Sequence, residues 1–300
     1  MRFKRRAAGL LAGLAVCAAT TGCGATTTAD ANDPAASARP ATPATAPESA
    51  TDDDSAPTVD RIPQDERIVE ASGMTVSGRD ADVLLIHNDS GDDANLYRVG
   101  PDGQNWGRIR LRDTEPRDWE AAARLGTGDN SRVFIGDIGD NRSSWPTISV
   151  LEFDEPTGRG DATVTPTVYR FEFEDGPRDA ESLMVSPRTG RLYVVSKRAM
   201  GAAVYLAPER LRTDEVNVLR RWRSAPPLTT DGAFSPDGSR YALRSYTSVT
   251  VYDAATGTPT EIDIPLQRQG ESLTWTQDGT AVLIGSEGER QKIYRVPVPR

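Results

Sequence analysis

The sequence predicts an all-β fold, a five-bladed β-propeller with four antiparallel strands per blade, and three observations carry that prediction. A six-residue frame recurs five times: RIVEAS (Arg67 to Ser72), RDWEAA (Arg117 to Ala122), RDAESL (Arg178 to Leu183), LTTDGA (Leu228 to Ala233) and RQGESL (Arg268 to Leu273). Seven to nine residues beyond each acidic residue stands a glycine, Gly78, Gly128, Gly190, Gly238 or Gly279, and three of these close the hairpin-type turns SPRTG, SPDG and TQDG. Each turn is followed by a short apolar run rich in Val, Ile, Leu and Tyr: DVLLIH, RVFIGD, RLYVVS, RYALRS and AVLIGS. Such runs, bounded by Gly and Asp, are strands.

The frame supplies the first strand of each unit and the apolar run the second. A third run follows in NLYRVG, ISVLEF, AVYLAP, VTVYDA and KIYRVP, and a fourth in WGRIRL, TVYRFEF, VLRRWRS and PTEIDIPL. The fifth copy reaches Arg300 without a fourth run. Residues 58–68, which precede the first frame, are placed to supply it, so an N-terminal strand pairing with the last blade closes the ring and removes its open edges. The acidic residues are spaced by 50, 61, 50 and 40 residues, and the 61-residue repeat leaves room for a sixth blade. A β-sandwich would account for the strands but not for the fivefold frame.

Ahead of the predicted domain at 58–300 lie two segments of different character. Residues 1–22 combine the basic start MRFKRR with a short apolar run and end in TTG directly before Cys23, the pattern of a lipoprotein signal peptide in which Cys23 becomes lipidated. The apolar run is well short of the roughly 20 residues a spanning helix needs, so the expected membrane attachment is a lipid anchor only. Cys17, preceded by Val16, is the poorer cleavage candidate. Residues 23–57 are mostly Ala, Thr, Pro, Asp and Ser, a composition that cannot bury enough surface to fold and reads as a tether. The expected location is the outer face of the cytoplasmic membrane, or secretion. Both cysteines fall in the export segment, so no disulfide is expected in the domain.

The formal net charge of -9 argues against nucleic acid as a partner and favours cations or cationic groups. Propeller geometry brings the start of each first strand and the end of each second strand to one face. It would gather Glu70, Glu120, Glu181, Asp231 and Glu271 around the axis. Five charged carboxylates there need compensation. A calcium ion, which takes six to eight oxygen ligands in flexible geometry, would provide it. So would Arg67, Arg117, Arg178 and Arg268, each three residues before its acid, as part of a structural clamp between blades.

A second ring of candidates, from the strand ends HNDSGD, GDIGDN, SKR, RSY and SEG, comprises His87, Asn88, Asp89, Asp137, Asp140, Asn141, Arg142, Lys197, Arg244 and Glu287. Asp, Asn and cationic groups around a mouth could hold a metal together with an anionic ligand, and the same residue types also simply make turns. His87 is the only histidine, and no G-x-S-x-G elbow, phosphate loop or dinucleotide fingerprint occurs. Zinc is not expected, because the domain has one His and no Cys to serve as ligands.

With DWEA, GDIGDN, RDAESL, SPDG and QGESL in this order, residues 62–300 resemble a family of secreted bacterial β-propellers described as WD40-like, or as phytase-like and esterase-like. The acids heading the inner strands are also similar to those of calcium-dependent five-bladed apyrase-type nucleotidases. That similarity implies calcium at Glu70, Glu120, Glu181, Asp231 and Glu271. Three functions follow as expectations: an envelope recognition module for a small-molecule, glycan or peptide ligand, acting as a monomer; a calcium-assisted phosphoester hydrolase using Lys197 or Arg244 on the phosphoryl oxygens; and a scaffold for an envelope complex.

Overall fold

The computed structural model describes residues 56–89 and 91–299. The signal segment at 1–22, Cys17, Cys23 and the tether as far as residue 55 lie outside the described residues. Among the described residues the chain is all-β, with a single 3-10 turn at Gly128–Asn130 and no helix long and apolar enough to cross a membrane.

The first strand, β1 (Thr58–Arg61), is followed by an antiparallel meander of β2 (Ala71–Val76), β3 (Leu84–Asn88), β4 (Asn95–Val99) and β5 (Asn105–Leu111). Next come β6 (Trp119–Leu125), β7 (Arg132–Asp137) and β8 (Ile148–Asp154), then the short β9 (Ala162–Val164) and β10 (Thr167–Phe173). The third meander is β11 (Ala180–Val185), β12 (Leu192–Ser196), β13 (Ala203–Leu206) and β14 (Val216–Ser224). The chain continues through β15 (Thr229–Phe234), β16 (Arg240–Ser245), β17 (Val249–Asp253) and β18 (Pro259–Ile262), and ends with β19 (Gly270–Trp275), β20 (Ala281–Ser286) and β21 (Ile293–Pro297).

These strands form four sheets. One has the order β2-β3-β4-β5-β9 and another β15-β16-β17-β18. An eight-stranded sheet joins β6-β7-β8-β10 to β11-β12-β13-β14 through a parallel β10–β14 contact, Phe171 opposite Asn217. In the last sheet, β1-β21-β20-β19, the N-terminal strand completes the C-terminal meander, with Thr58 opposite Arg295. The extra length of the second repeat goes into the β7–β8 loop and β9, which pairs in parallel with β5.

Strands β2, β6, β11, β15 and β19 each pack beside the next, and β19 returns to β2, so the five form a closed cycle. The core is divided in the same way. One buried cluster sets Leu85 and Leu96 against Trp119 and Val133, and a second sets Phe134 and Phe171 against Leu183 and Tyr205. The circuit continues with Met184 and Val195 against Tyr241, then Val251 against Leu273, and Met74 and Ile86 against Leu283 and Ile293. Each cluster lies between consecutive meanders, so apolar burial holds neighbouring units together. The SPRTG, SPDG and TQDG turns place Gly190, Gly238 and Gly279 in the left-handed conformation, with φ of 70°, 66° and 68°. A side chain is strained there, and glycine is not.

Candidate metal centre

The register of the innermost strands decides which side chains reach the axis. Pairing of each inner strand with its second strand slips at the start, between Ala71 and Gly73, Trp119 and Ala121, Ala180 and Ser182, Thr229 and Asp231, and Gly270 and Leu273. A bulge re-aims the residue it contains. The skipped residues are Ser72, Glu120, Glu181 and Thr230, with Glu271 and Ser272 in the last strand. Two of the five acids expected at this level are therefore displaced. Glu70 stands two residues ahead of Ser72, and Asp231 one residue beyond Thr230.

Asp231 is fully buried and ties two sheets together. Its Oδ1 accepts from the backbone N–H of Gly232 at 2.7 Å and its Oδ2 from that of Leu273 at 2.6 Å. Burial raises its pKa well above the usual carboxylate value. The hydroxyls at the two vacated positions also link neighbouring strands: Ser72 Oγ donates to Glu120 Oε2 at 3.0 Å, and Thr230 Oγ1 to the Gly270 carbonyl at 3.0 Å.

Glu70 belongs to another tier, one residue ahead of each inner strand's first paired residue. Its equivalents are Asp118, Asp179 and Gln269; the carbonyls of all four accept a backbone N–H from the residue just past the adjoining strand: Asp89, Ile138, Lys197 and Glu287. In this way Asp89, Lys197 and Glu287 are brought beside the starts of the inner strands, where Glu120, Glu181 and Glu271 lie.

The carboxylates of Asp89, Asp118 and Glu120 place one oxygen each within 4.8 Å of one another. Burial, then the charges of Asp89 and Asp179 and a hydrogen bond to Asp89, hold Asp118 at about 7. Glu120 is buried and also raised, by desolvation first and by Glu181, Asp89 and Asp118 next. Gly139 backs onto this group. A Cβ there would fall 2.4 Å from Glu120 Oε1 and 2.6 Å from Asp118 Oδ2, so only glycine leaves the space beside the oxygens open. That accounts for the second glycine of GDIGDN.

Further around the mouth Glu271 and Glu287 hydrogen-bond, and Gln269 Nε2 donates to both. Burial, followed by Glu271, pushes Glu287 up to about 9. Glu70 is raised too, by desolvation and then by Asp89 and Glu271. Glu181 is matched by Lys197, whose Nζ lies 2.7 Å from Oε1. Burial opposes the ammonium charge, but Glu181 and Tyr246 outweigh it and raise the lysine's pKa.

The arginines of the frame do not neutralise the acids. Arg67 pairs with Asp65 at 2.6 Å, and Arg178 Nε donates to Asp175 at 2.7 Å. Arg117 lies 3.5 Å over the Trp145 ring. Among the described residues no ion pair joins Arg67, Arg117, Arg178 or Arg268 to Glu120, Glu181 or Glu271.

Several candidates from the strand ends are structural. Asn88 accepts from the N–H groups of Val69 and Glu70 at 3.0 and 3.1 Å and donates to the Arg67 carbonyl at 2.7 Å. Asp137 plays the same part for the N–H of Asp118 at 2.8 Å. Asp140 is buried and accepts from the Trp145 N–H at 2.7 Å. Asn141 and Arg142 are exposed on the loop after β7, outside the carboxylate group. Arg244 is fully buried, giving its N–H groups to the carbonyls of Ser272 and Gly285 at 2.8 and 2.6 Å. Burial lowers it to about 10. His87 is fully buried with its Nδ1 2.8 Å from the Asn88 carbonyl oxygen, and its ring fills the space beside Gly73, whose Cβ would lie 2.0 Å from Nε2. Desolvation lowers its pKa.

Asp118 is the residue the sequence reading missed. The available signal was its position in RDWEAA, matched by Asp179 in RDAESL: an acid two residues before the glutamate in both frames. What the site offers is a set of hard oxygen donors with excess negative charge and no nitrogen or sulfur ligand. Compared with known proteins, the chain matches no family model and no curated relative.

Proposed function

We propose that residues 58–300 form a five-bladed β-propeller that binds a divalent cation, with calcium the best fit, at Asp89, Asp118 and Glu120 in the acidic mouth of its channel. The observation that carries this reading is the trio of oxygens within 4.8 Å, where burial first and the neighbouring carboxylates second hold Asp118 at about 7. Oxygens bound to one calcium at 2.3–2.6 Å can lie up to about 5 Å apart, so the trio can share an ion. The space kept by Gly139 adjoins two of its members. The closed cycle of inner strands and the β1–β21 pairing support the five-bladed arrangement.

The propeller is read as an envelope recognition module, carried outside the cytoplasmic membrane on a tether that Cys23 anchors through lipid. A phosphoester hydrolase finds less support. Arg244 is spent on buried carbonyls and Lys197 on Glu181, so neither is placed as the cationic clamp that such chemistry uses. The test is thermal unfolding of the full chain in chelator and across a calcium titration. A ligand that binds only the folded state stabilises it by about 2.7 kcal/mol at 100 times its Kd. A rise that disappears in Asp118→Asn and Glu120→Gln supports the site. No rise with calcium, or the same rise in both variants, overturns it.

A further inference from the structure

The inner strands run from the acidic group to their opposite ends, where a cavity opens. Its volume is about 480 Å³, and all five inner strands contribute, among them Leu125 of β6, Met184 of β11, Phe234 of β15 and Trp275 of β19. That volume is within the range of small-molecule sites. The walls mix apolar and aromatic side chains with polar ones, Thr75, Asn130, Ser235 and Gln277 among them, and part of the lining is held in place. The indole N–H of Trp275 donates to the Ala233 carbonyl at 3.0 Å, and Met184 is fully buried.

One cation lines this cavity without an acidic partner. Arg124, half-buried at the end of β6, donates from Nη1 to the Gly126 carbonyl at 2.6 Å, and among the described residues its guanidinium makes no ion pair. Burial lowers its pKa, and Glu155 is the charge that acts the other way. Glu155 is already engaged, accepting from Ser77 Oγ, from the Gly78 N–H at 2.9 Å and from Ser131 Oγ at 2.6 Å. The other arginine on the lining, Arg132, pairs with Glu152. A guanidinium presents planar pairs of N–H donors that match a carboxylate, and a partly desolvated one gains from an anion that supplies the missing charge. The two ends of the inner strands thus differ in sign, with carboxylates at one and Arg124 at the other.

We infer that this cavity is a second binding site, for a small organic carboxylate with a compact apolar or aromatic body: the anion against Arg124, the body against Leu125 and Phe234. The inference does not depend on the metal site, because Asp89 and Asp118 are not among the lining residues.

The test is isothermal titration of the full chain with 1-naphthoate and with its neutral counterpart 1-naphthalenemethanol, in chelator and again with calcium. The expected result is saturable binding of one naphthoate per chain, with at least tenfold weaker binding of the alcohol, in either condition. Arg124→Met should weaken naphthoate at least tenfold and erase the preference for the acid, whereas Arg124→Lys should retain part of it. Thr127→Trp, a substitution on the exposed rim of the cavity, should block both compounds without disturbing the core. Absence of saturable naphthoate binding, equal affinity for acid and alcohol, or an unchanged affinity in Arg124→Met would overturn the inference.

Discussion

Replacing Asp118 with Asn should make the cation-free protein more stable at pH 8 while removing its response to calcium. The sign follows from where the carboxyl titrates. Asp118 is held at about 7, against an ordinary value of 3.8. Below about pH 4 it is protonated in both folded and unfolded chains and costs nothing. Between there and pH 7 the unfolded chain releases the proton while the folded chain keeps it, so stability falls as pH rises. Above pH 7 the whole cost is present. A displacement of that size corresponds to about 4 kcal/mol, which partial exposure of Asp118 to solvent cuts to roughly 2 kcal/mol. For a domain of this size that is a fall in Tm of about 4–8 °C. Glu120 and Glu287, raised by burial and then by neighbouring carboxylates, deepen the fall. The assay is thermal unfolding in chelator from pH 5 to pH 8, for wild type and Asp118→Asn. Wild-type stability that is flat or rising across that range would refute the reasoning. So would a variant with the same slope as wild type.

Three other substitutions separate the parts of the mouth. Glu181→Gln leaves Lys197 buried without its counter-ion and should cost about 3–5 kcal/mol in urea unfolding, most of it recovered in the double variant Glu181→Gln with Lys197→Met. Gly139→Ala drives a methyl against Glu120 Oε1 and Asp118 Oδ2, so calcium affinity by isothermal titration should fall at least tenfold, while the melt at pH 5 drops by no more than a few degrees. Arg244→Met strands the carbonyls of Ser272 and Gly285 and should cost about 3 kcal/mol, with calcium affinity unchanged because the guanidinium belongs to the packing between sheets.

The strands, the hairpin glycines and the β1–β21 closure were legible because each is a local pattern: alternation, turn chemistry, and a run displaced to the other end of the chain. The axial ring was only partly legible. Aligning the frames on their acids set Glu70 and Asp231 level with Glu120, Glu181 and Glu271, but the ladder puts Ser72 and Thr230 at that level. A shift of one residue turns a side chain to the other face of a strand, so chemical likeness cannot substitute for register. Arg244, Asn88 and Asp137 show a second limit. Their residue types suit a binding mouth, yet most of their partners are backbone groups in other segments, up to 41 residues away for Arg244 and Gly285, with the side chains of Asp92 and Gln267 also bonded to Asn88 and Arg244. Asp118 was hidden by the glutamate beside it, although RDWEAA and RDAESL both carried the pair.

The pairing of β1 with β21 sets an order of events for the living molecule. Thr58 leaves the ribosome, and any export channel, among the first residues of the domain, and Arg295 among the last. The sheet that joins them cannot form on a partly emerged chain. Until then β1 has no partner and β21 keeps one edge unpaired. Closing a loop of more than two hundred residues is slow but adds little entropic penalty per residue. The sheet that spans the two ends of the domain therefore waits for the C-terminal strand, although the inner strand β19 precedes it.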